Sequence, residues 1–477
     1  MSITPQAFHF HLEKISKADK FLVAYSGGVD SHVLLHLCSQ LKNSPNGFEQ
    51  SFSAVYIDHG LSSQAKKWGQ HCQHICFELD IPLTIIEVDA RPKNGQSPEA
   101  AARLARYHAF SQILAENECL LTAQHLDDQA ETLLLQLLRG AGTKGLSAMP
   151  RSKTFAKGFL CRPIIDYQKQ AIIDYAKQHQ LEWVEDESNL EQRFDRNYLR
   201  HTIMPLLEER WPAVKENFAK SAEILSESQS LLDELAENDA QHLFFKNAEA
   251  VLEKDKLLIT PTLSLLKKSP LELARLNNLL RYWIHRNELP LPSKKILEQI
   301  VHHALFAGDD AMPLVAWTRE NFHCEIRRYR DKLYLLDVSF KQHNLADFDS
   351  SQILILDESI IGVELKIVNT NRCIQLLSCE ATQTSAAYNC QQLFSKPITI
   401  RFRKGGERYR KHLDGHSHPL KHWFQEQGIP PWEREQMPLV FWGDELVQIG
   451  HNIVNQSLKS AESNDLVMIL WQTCKNK

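Results

Sequence analysis

Short apolar runs alternate with helical patterns over the first third of the chain. The runs cover residues 21–25, 54–57, 83–88, 119–122 and, more weakly, 159–165. Between them, apolar residues recur at helical spacing near 31–42, 63–79, 97–117, 126–139 and 168–179, after a short leading helix within residues 1–20. This alternation predicts α/β architecture, a doubly wound parallel sheet with helices on both faces. In such sheets ligands sit beyond the carboxyl ends of the strands. Past Pro212 the alternation stops. A long amphipathic stretch at 214–240, carrying Phe218, Ile224, Leu225, Leu231, Leu232 and Leu235, predicts a linking helix. Helices and then strands fill 243–336, with Arg275, Arg281, Arg286, Lys294 and Lys295 on the helices, and 340–360 reads as a second linker. The expected domains are therefore 1–212 (catalytic), 213–340 (linker helix and a mostly helical middle domain) and 361–477 (a small α+β C-terminal domain).

The candidate chemistry lies at the predicted strand ends. The first run leads into Ser26-Gly27-Gly28-Val29-Asp30-Ser31 and then a helix. Paired glycines permit positive φ, and a helix N-terminus presents N–H groups to a phosphate. Ser26 and Ser31 add hydroxyls, and Asp30 suits a Mg²⁺ that the phosphates also touch. A plain strand-to-helix turn capped by Asp30 is the simpler alternative. No Gly-Lys-Ser/Thr ending is present, so this is not a Walker loop. The second strand ends in Asp58-His59, placed for an adenine or ribose contact or as a loop cap. The fourth leads into His125-Leu126-Asp127-Asp128-Gln129-Ala130-Glu131-Thr132. Leu126, Ala130, Leu133, Leu134 and Leu137 share one helical face, predicted buried, which leaves Asp127, Asp128 and Glu131 on an arc away from the core. These acids are either dipole partners or holders of Mg²⁺ or a substrate amine, with His125 placed for an α-phosphate. Arg103 and Arg106 lie one turn apart, as surface arginines or as a phosphate clamp. Asp186, Ser188 and Asn189 read as a polar loop. Arg193, Arg196, Asn197 and Arg200 then form a row that can follow a nucleic-acid backbone or pair with acids of the same domain.

The loop at 26–31, Arg103-x-x-Arg106-Tyr107, His125-x-Asp-Asp-Gln-Ala-Glu-Thr and Arg196-Asn197-x-x-Arg200 occur in one order. The first resembles the PP-loop of the N-type ATP pyrophosphatases. Together they resemble the tRNA(Ile)-lysidine synthetase family. The resemblance implies a ligase that forms a C–N bond. It would use ATP and Mg²⁺ to join free L-lysine to C2 of the wobble cytidine in the CAU anticodon of minor tRNA(Ile), through an adenylated cytidine. The product lysidine switches codon and amino-acid identity from Met to Ile, and AMP and diphosphate are released. On this reading Asp30, His125, Asp128 and Arg103 are catalytic, and residues 26–31 with Asp58 and His59 bind the nucleotide. Asp30 and Asp128 hold the metal, and Asp127, Asp128 and Glu131 receive lysine. Arg196, Asn197 and Arg200 face tRNA, joined in the C-terminal domain by Arg401, Arg403, Lys404, Arg408 and Lys421. Rivals are a PP-loop tRNA thiolation enzyme, an amidating synthetase of the NAD or GMP type, and a tRNA-binding protein with an inactive nucleotide site.

Composition changes this picture little. The 477 residues are 43% hydrophobic and 24% charged, with a net charge of −5, so any tRNA binding must use local basic patches. One such patch is the basic and aromatic interleaving at 401–411 and 420–434. Ten scattered cysteines contain no Cys-x-x-Cys and read as reduced thiols, which weakens the thiolation reading. His412, His416, His418 and His422 have no matching carboxylate or cysteine pattern for a metal. With no signal-peptide or membrane-span pattern, a cytoplasmic enzyme is expected; the sequence leaves a homodimer open.

Overall fold

The computed structural model describes residues 3–15, 18–44, 50–60, 64–92, 98–185, 193–242, 256–258, 270–308, 311–319, 322–330, 332–338, 354–356, 361–362, 364–366, 372–379, 387–412, 415–435, 437–455 and 466–473. The polar loop at Asp186, Ser188 and Asn189 and most of the 340–360 linker lie outside them. Two compact units form, Met1–Leu235 and Ala236–Lys477.

The first unit is built on six strands. These are β1 (Lys20–Ala24), β2 (Ser51–Asp58), β3 (Leu83–Glu87), β4 (Glu118–Leu121), β5 (Ser152–Phe155) and β6 (Gly158–Cys161), in the order β3-β2-β1-β4-β6-β5. Five run parallel. The sixth, β5, is an antiparallel edge strand that the apolar pattern did not signal, because its residues Ser152–Phe155 are mostly polar. Strand residues alternate between two cores as the pleat requires. Phe21, Val23, Phe52, Ala54, Tyr56, Cys119, Leu121 and Cys161 join one core, and Leu22, Val55, Ile57, Leu120 and Leu160 the other. On the first face pack α1 (Pro5–Ile15), α2 (Val29–Lys42), α3 (Ala65–Glu78) and α7 (Lys169–Gln178), through residues such as Phe8, Leu34, Cys72 and Ile172. On the second lies α4 (Pro98–Ile113), through Ala109 and Phe110. The predicted doubly wound parallel sheet is what forms.

Helix α2 is buried along almost its whole length, and this traps histidines. His32 lies edge-on to Tyr25 and His71, and His36 Nδ1 is 3.0 Å from Tyr175 Oη. Burial pushes both imidazoles down to about 4, with His71 adding for His32 and His179 for His36. An unfolded chain binds these protons near pH 6.5, the folded one only near 4. Their contribution to stability is therefore fully present above pH 6.5 and is lost as pH falls towards 4, up to roughly 3 kcal/mol per histidine. Urea midpoints measured from pH 7 to 4.5 should fall steeply, and His36→Gln should flatten that dependence; an unchanged slope would contradict it.

In the second unit, a helix Pro270–Arg286 and a helical segment Lys294–Leu305, α-helical and then π-helical, cover a four-stranded antiparallel sheet. Three further sheets follow towards the C-terminus. Contacts cross the expected 340–360 division within this unit. Trp432 lies against Tyr329 and Tyr334, and Arg434, itself buried, donates to Tyr329 Oη at 3.0 Å. Helix α10 (Val214–His242) contains the division between the two units. Among the described residues no helix is long and apolar enough to cross a membrane.

Candidate functional site

The site gathers at the carboxyl edge of the parallel sheet. After β1 the chain turns through Ser26-Gly27-Gly28 into α2. Only Gly27 takes positive φ, at +81°; Gly28 is extended and is the N-cap, so Asp30 lies in the first helical turn and is not the cap. No side chain caps α2, so its first-turn N–H groups have no side-chain acceptor and are available to an anion. Ser31 fixes the turn. Its Oγ donates to Gly28 O at 3.0 Å and accepts from Ser26 N–H at 3.1 Å. The segment after α7 closes over it: Val184 N–H donates to Gly27 O at 3.0 Å.

Helix α5 (Leu126–Leu138) corrects one expectation. Asp127 and Glu131 are buried, whereas Leu137 and Leu138 are 58% and 69% exposed. The predicted apolar face stops at Leu134, which packs against Ala130, Met204 and Val214. The acids point inward because other elements bring cations to them. Asp30 Oδ1 accepts from Lys169 Nζ at 2.6 Å. Asp127 accepts from Lys215 Nζ at 2.6 Å and from the Lys169 backbone N–H at 2.9 Å. Glu131, with its side chain 3% exposed, receives Arg196 Nε at 2.9 Å and Arg200 Nε at 2.6 Å. Asp128 Oδ1 lies 2.9 Å from Arg200 Nη2, and its Oδ2 accepts from the His125 backbone N–H at 3.1 Å. A π-type turn at Leu199–Ile203 follows the short helix Asp195–Tyr198, and Arg200 lies within it. Arg196 and Arg200 thus realise the pairing with own-domain acids. Burial opposes ionisation of Asp128, but His125, Arg196 and Arg200 outweigh it and hold its carboxyl below the usual range. Burial likewise opposes ionisation of Asp127, and Lys215, the Lys169 N–H and His125 outweigh it.

His125 sits among these carboxylates. Its Nε2 is 3.8 Å from Asp30 and 3.5 Å from Asp128, and its Nδ1 is 3.8 Å from Asp127. Asp30 is the better carboxylate for Mg²⁺: only its Oδ1 is engaged, its side chain is 30% exposed, and it lies in the first turn beside the phosphate-facing N–H groups. Asp128 fits less well, since both its oxygens are already engaged. Among the described residues no cluster of three or more His, Cys, Asp or Glu could hold a metal by itself. A Mg²⁺ shared with phosphates needs only one or two carboxylates.

The remaining predicted residues divide. Asp58 Oδ1 accepts from Gly60 N–H at 2.8 Å, the loop-cap alternative. Half-buried His59 has an unpartnered buried Nδ1, and burial, then Arg106, hold its pKa below the ordinary value. Arg103 is exposed and stacks on Tyr107 at 4.8 Å. Asn197 lies in the helix Asp195–Tyr198 with Arg196. In the second unit Lys404, Arg408 and Lys421 are exposed, while Arg401 and Arg403 lie over Phe441 and Phe424. Lys169 and Lys215 were not singled out in the sequence, because a lone lysine at a helix start carries no local signal of a partner far along the chain. Cys72 and Cys76 lie buried in the first core, and burial pushes each thiol up to about 12. Neither is a ready thiolate at neutral pH.

Residues 4–207 match the model of the PP-loop domain, residues 263–334 that of the TilS substrate binding domain, and residues 398–471 that of the TilS substrate C-terminal domain. Similar proteins named tRNA(Ile)-lysidine synthase include those of Coxiella burnetii (39% identical, 94% of this chain and 92% of that one), Methylococcus capsulatus (37%, 90% and 91%) and Legionella pneumophila (38%, 91% and 91%).

Proposed function

The chain belongs to the tRNA(Ile)-lysidine synthase family, and on that premise we propose that it uses ATP and L-lysine to convert the wobble cytidine of the CAU-anticodon tRNA(Ile) into lysidine. One observation carries this reading. A glycine turn, at a helix start with no side-chain cap, shares a sheet edge with carboxylates that already hold two primary ammonium groups, Lys169 on Asp30 and Lys215 on Asp127. A triphosphate and an amine substrate need such a pairing.

The chemistry runs in two displacements. The cytidine O2 attacks the α-phosphorus, the bond from that phosphorus to the β-bridging oxygen breaks, and diphosphate leaves. Lysine Nε then attacks C2, and the C2–O bond breaks to release AMP with the former carbonyl oxygen. The turn at 26–31 would hold the diphosphate in line through the N–H groups of α2. His125 would meet the α-phosphate. Mg²⁺ on Asp30 would screen the phosphate charge during the first displacement. Lysine is almost fully protonated at neutral pH and must lose a proton to react. Asp127, Asp128 and Glu131 would receive its ammonium, which requires Arg196, Arg200 or Lys215 to give up a contact. Since Asp127 and Asp128 are held below the ordinary carboxylate range, they are holders of charge more than strong bases. The exposed Lys404, Arg408 and Lys421 would meet tRNA. A cytoplasmic setting supplies ATP, lysine and tRNA together.

The test is product analysis. With ATP, lysine and a transcript of the CAU-anticodon tRNA(Ile), the tRNA should gain the mass of lysine less one water, with one AMP and one diphosphate formed. Nucleotide consumption that ignored lysine, or sulfur in the tRNA, would overturn the assignment.

A further inference from the structure

The cations at the site edge fall into two classes. Lys169, Arg196, Arg200 and Lys215 each meet a carboxylate. Arg162, Lys153 and Arg103 do not: among the described residues none has a carboxylate within 4 Å. Arg162, at the end of β6, is 3% exposed. Its Nε donates to Gln124 Oε1 at 3.1 Å and its Nη1 to Pro150 O at 2.6 Å, both neutral acceptors. A guanidinium taken out of water without a counter-charge is costly, and an anion from outside relieves that cost. Lys153 and Phe155 stand two apart on β5 and so share a face. Phe155 meets the Tyr107 ring edge-on at 5.8 Å, and Arg103 stacks on the same ring at 4.8 Å. Tyr107 is therefore the shared neighbour of the exposed Arg103 and Lys153 and of the buried Arg162, whose side chain hydrogen-bonds to it. Burial first, and then Arg162 and Arg103, depress the Lys153 pKa, as expected of cations that lack an anion.

We propose that Arg103 and Lys153, backed by Arg162, form a cradle for a backbone phosphodiester of the tRNA beside the base drawn into the site. This rests on tRNA being the macromolecular substrate. Nucleotide phosphates are the other source of the same chemistry, and the topology disfavours them. β4 separates β6 from β1, so Arg162 lies two strand spacings, roughly 10 Å, from the glycine turn. The cradle is also built from α4 on the face opposite α2.

The experiment is a salt titration of binding to the CAU-anticodon tRNA(Ile) transcript, with ATP binding measured in parallel. Lys153→Ala and Arg103→Ala should each weaken tRNA binding about fivefold near physiological salt. Each should also lower the slope of log affinity against log salt by about one, with ATP affinity unchanged. Lys153→Arg should restore the slope. Arg162→Gln, checked for an intact melting transition, should weaken tRNA binding likewise; should it fail to fold, the two exposed variants decide. Unchanged slopes in both alanine variants would overturn the cradle. A fall in ATP affinity with unchanged slopes would overturn it too, by giving the anion to the nucleotide. Wild-type product mass is read separately: altered slopes with no lysine adduct would leave the cradle standing and remove the proposed reaction, and an adduct with unaltered slopes would do the reverse.

Discussion

Asp30→Ala should abolish adenylation, lowering tRNA-dependent diphosphate release by roughly 10³-fold or more, because one residue supports two functions. Its carboxylate is the best-placed Mg²⁺ ligand beside the phosphate-facing N–H groups, and it neutralises Lys169. Without it a metal loses its protein anchor, and the Lys169 ammonium is free to pair with the triphosphate in an unproductive geometry. tRNA affinity should hardly move, since Asp30 lies at the nucleotide turn, where its carboxylate adds no positive charge for a tRNA phosphate. The measurement is diphosphate release against time, with tRNA binding as the control. Substantial release by the variant would show that Asp30 anchors neither the metal nor the phosphates.

Gly27→Ala should both destabilise the first unit and empty the nucleotide site. A side chain at φ +81° costs about 1–2 kcal/mol. A Cβ there would lie 2.8 Å from Val184 Cγ2 and 3.2 Å from Cys72 Sγ, so the strap that closes over the turn must move, at about 1–3 kcal/mol more. Gly28→Ala is the informative partner. Gly28 has φ −76°, and an added Cβ would meet only Ser26 Oγ at an ordinary 3.6 Å. It should fold normally and lose nucleotide affinity only if phosphate approaches that backbone closely. Urea unfolding and ATP binding of the two variants separate fold from site. Equal stability for both would refute the strain at Gly27.

Both predictions start from a motif that is legible in the sequence. An apolar run, two glycines and a helical pattern constrain one another within a dozen residues, so the turn at 26–31 and its place at a strand end follow from local steric rules. The strands of the parallel sheet follow for the same reason, and the polar β5 escapes because nothing in its own residues marks it. Helix α5 shows where local reasoning ends. Its 3.6-residue period located the helix, yet the face at Leu137 meets solvent while Asp127 and Glu131 are enclosed.

By itself, then, the sequence determined the parallel strands of the first unit and the helices between them, the glycine turn and the family whose motifs they carry. The tertiary structure alone decided which charges are neutralised and by whom. Lys169 reaches Asp30 across 139 positions, Arg200 reaches Glu131 across 69, and Arg162 is left beside Tyr107 with no carboxylate partner among the described residues. Backbone conformation is fixed by neighbours in the chain. Electrostatic pairing is fixed by proximity in space, which the chain acquires only once the sheet has brought its strand ends to one edge.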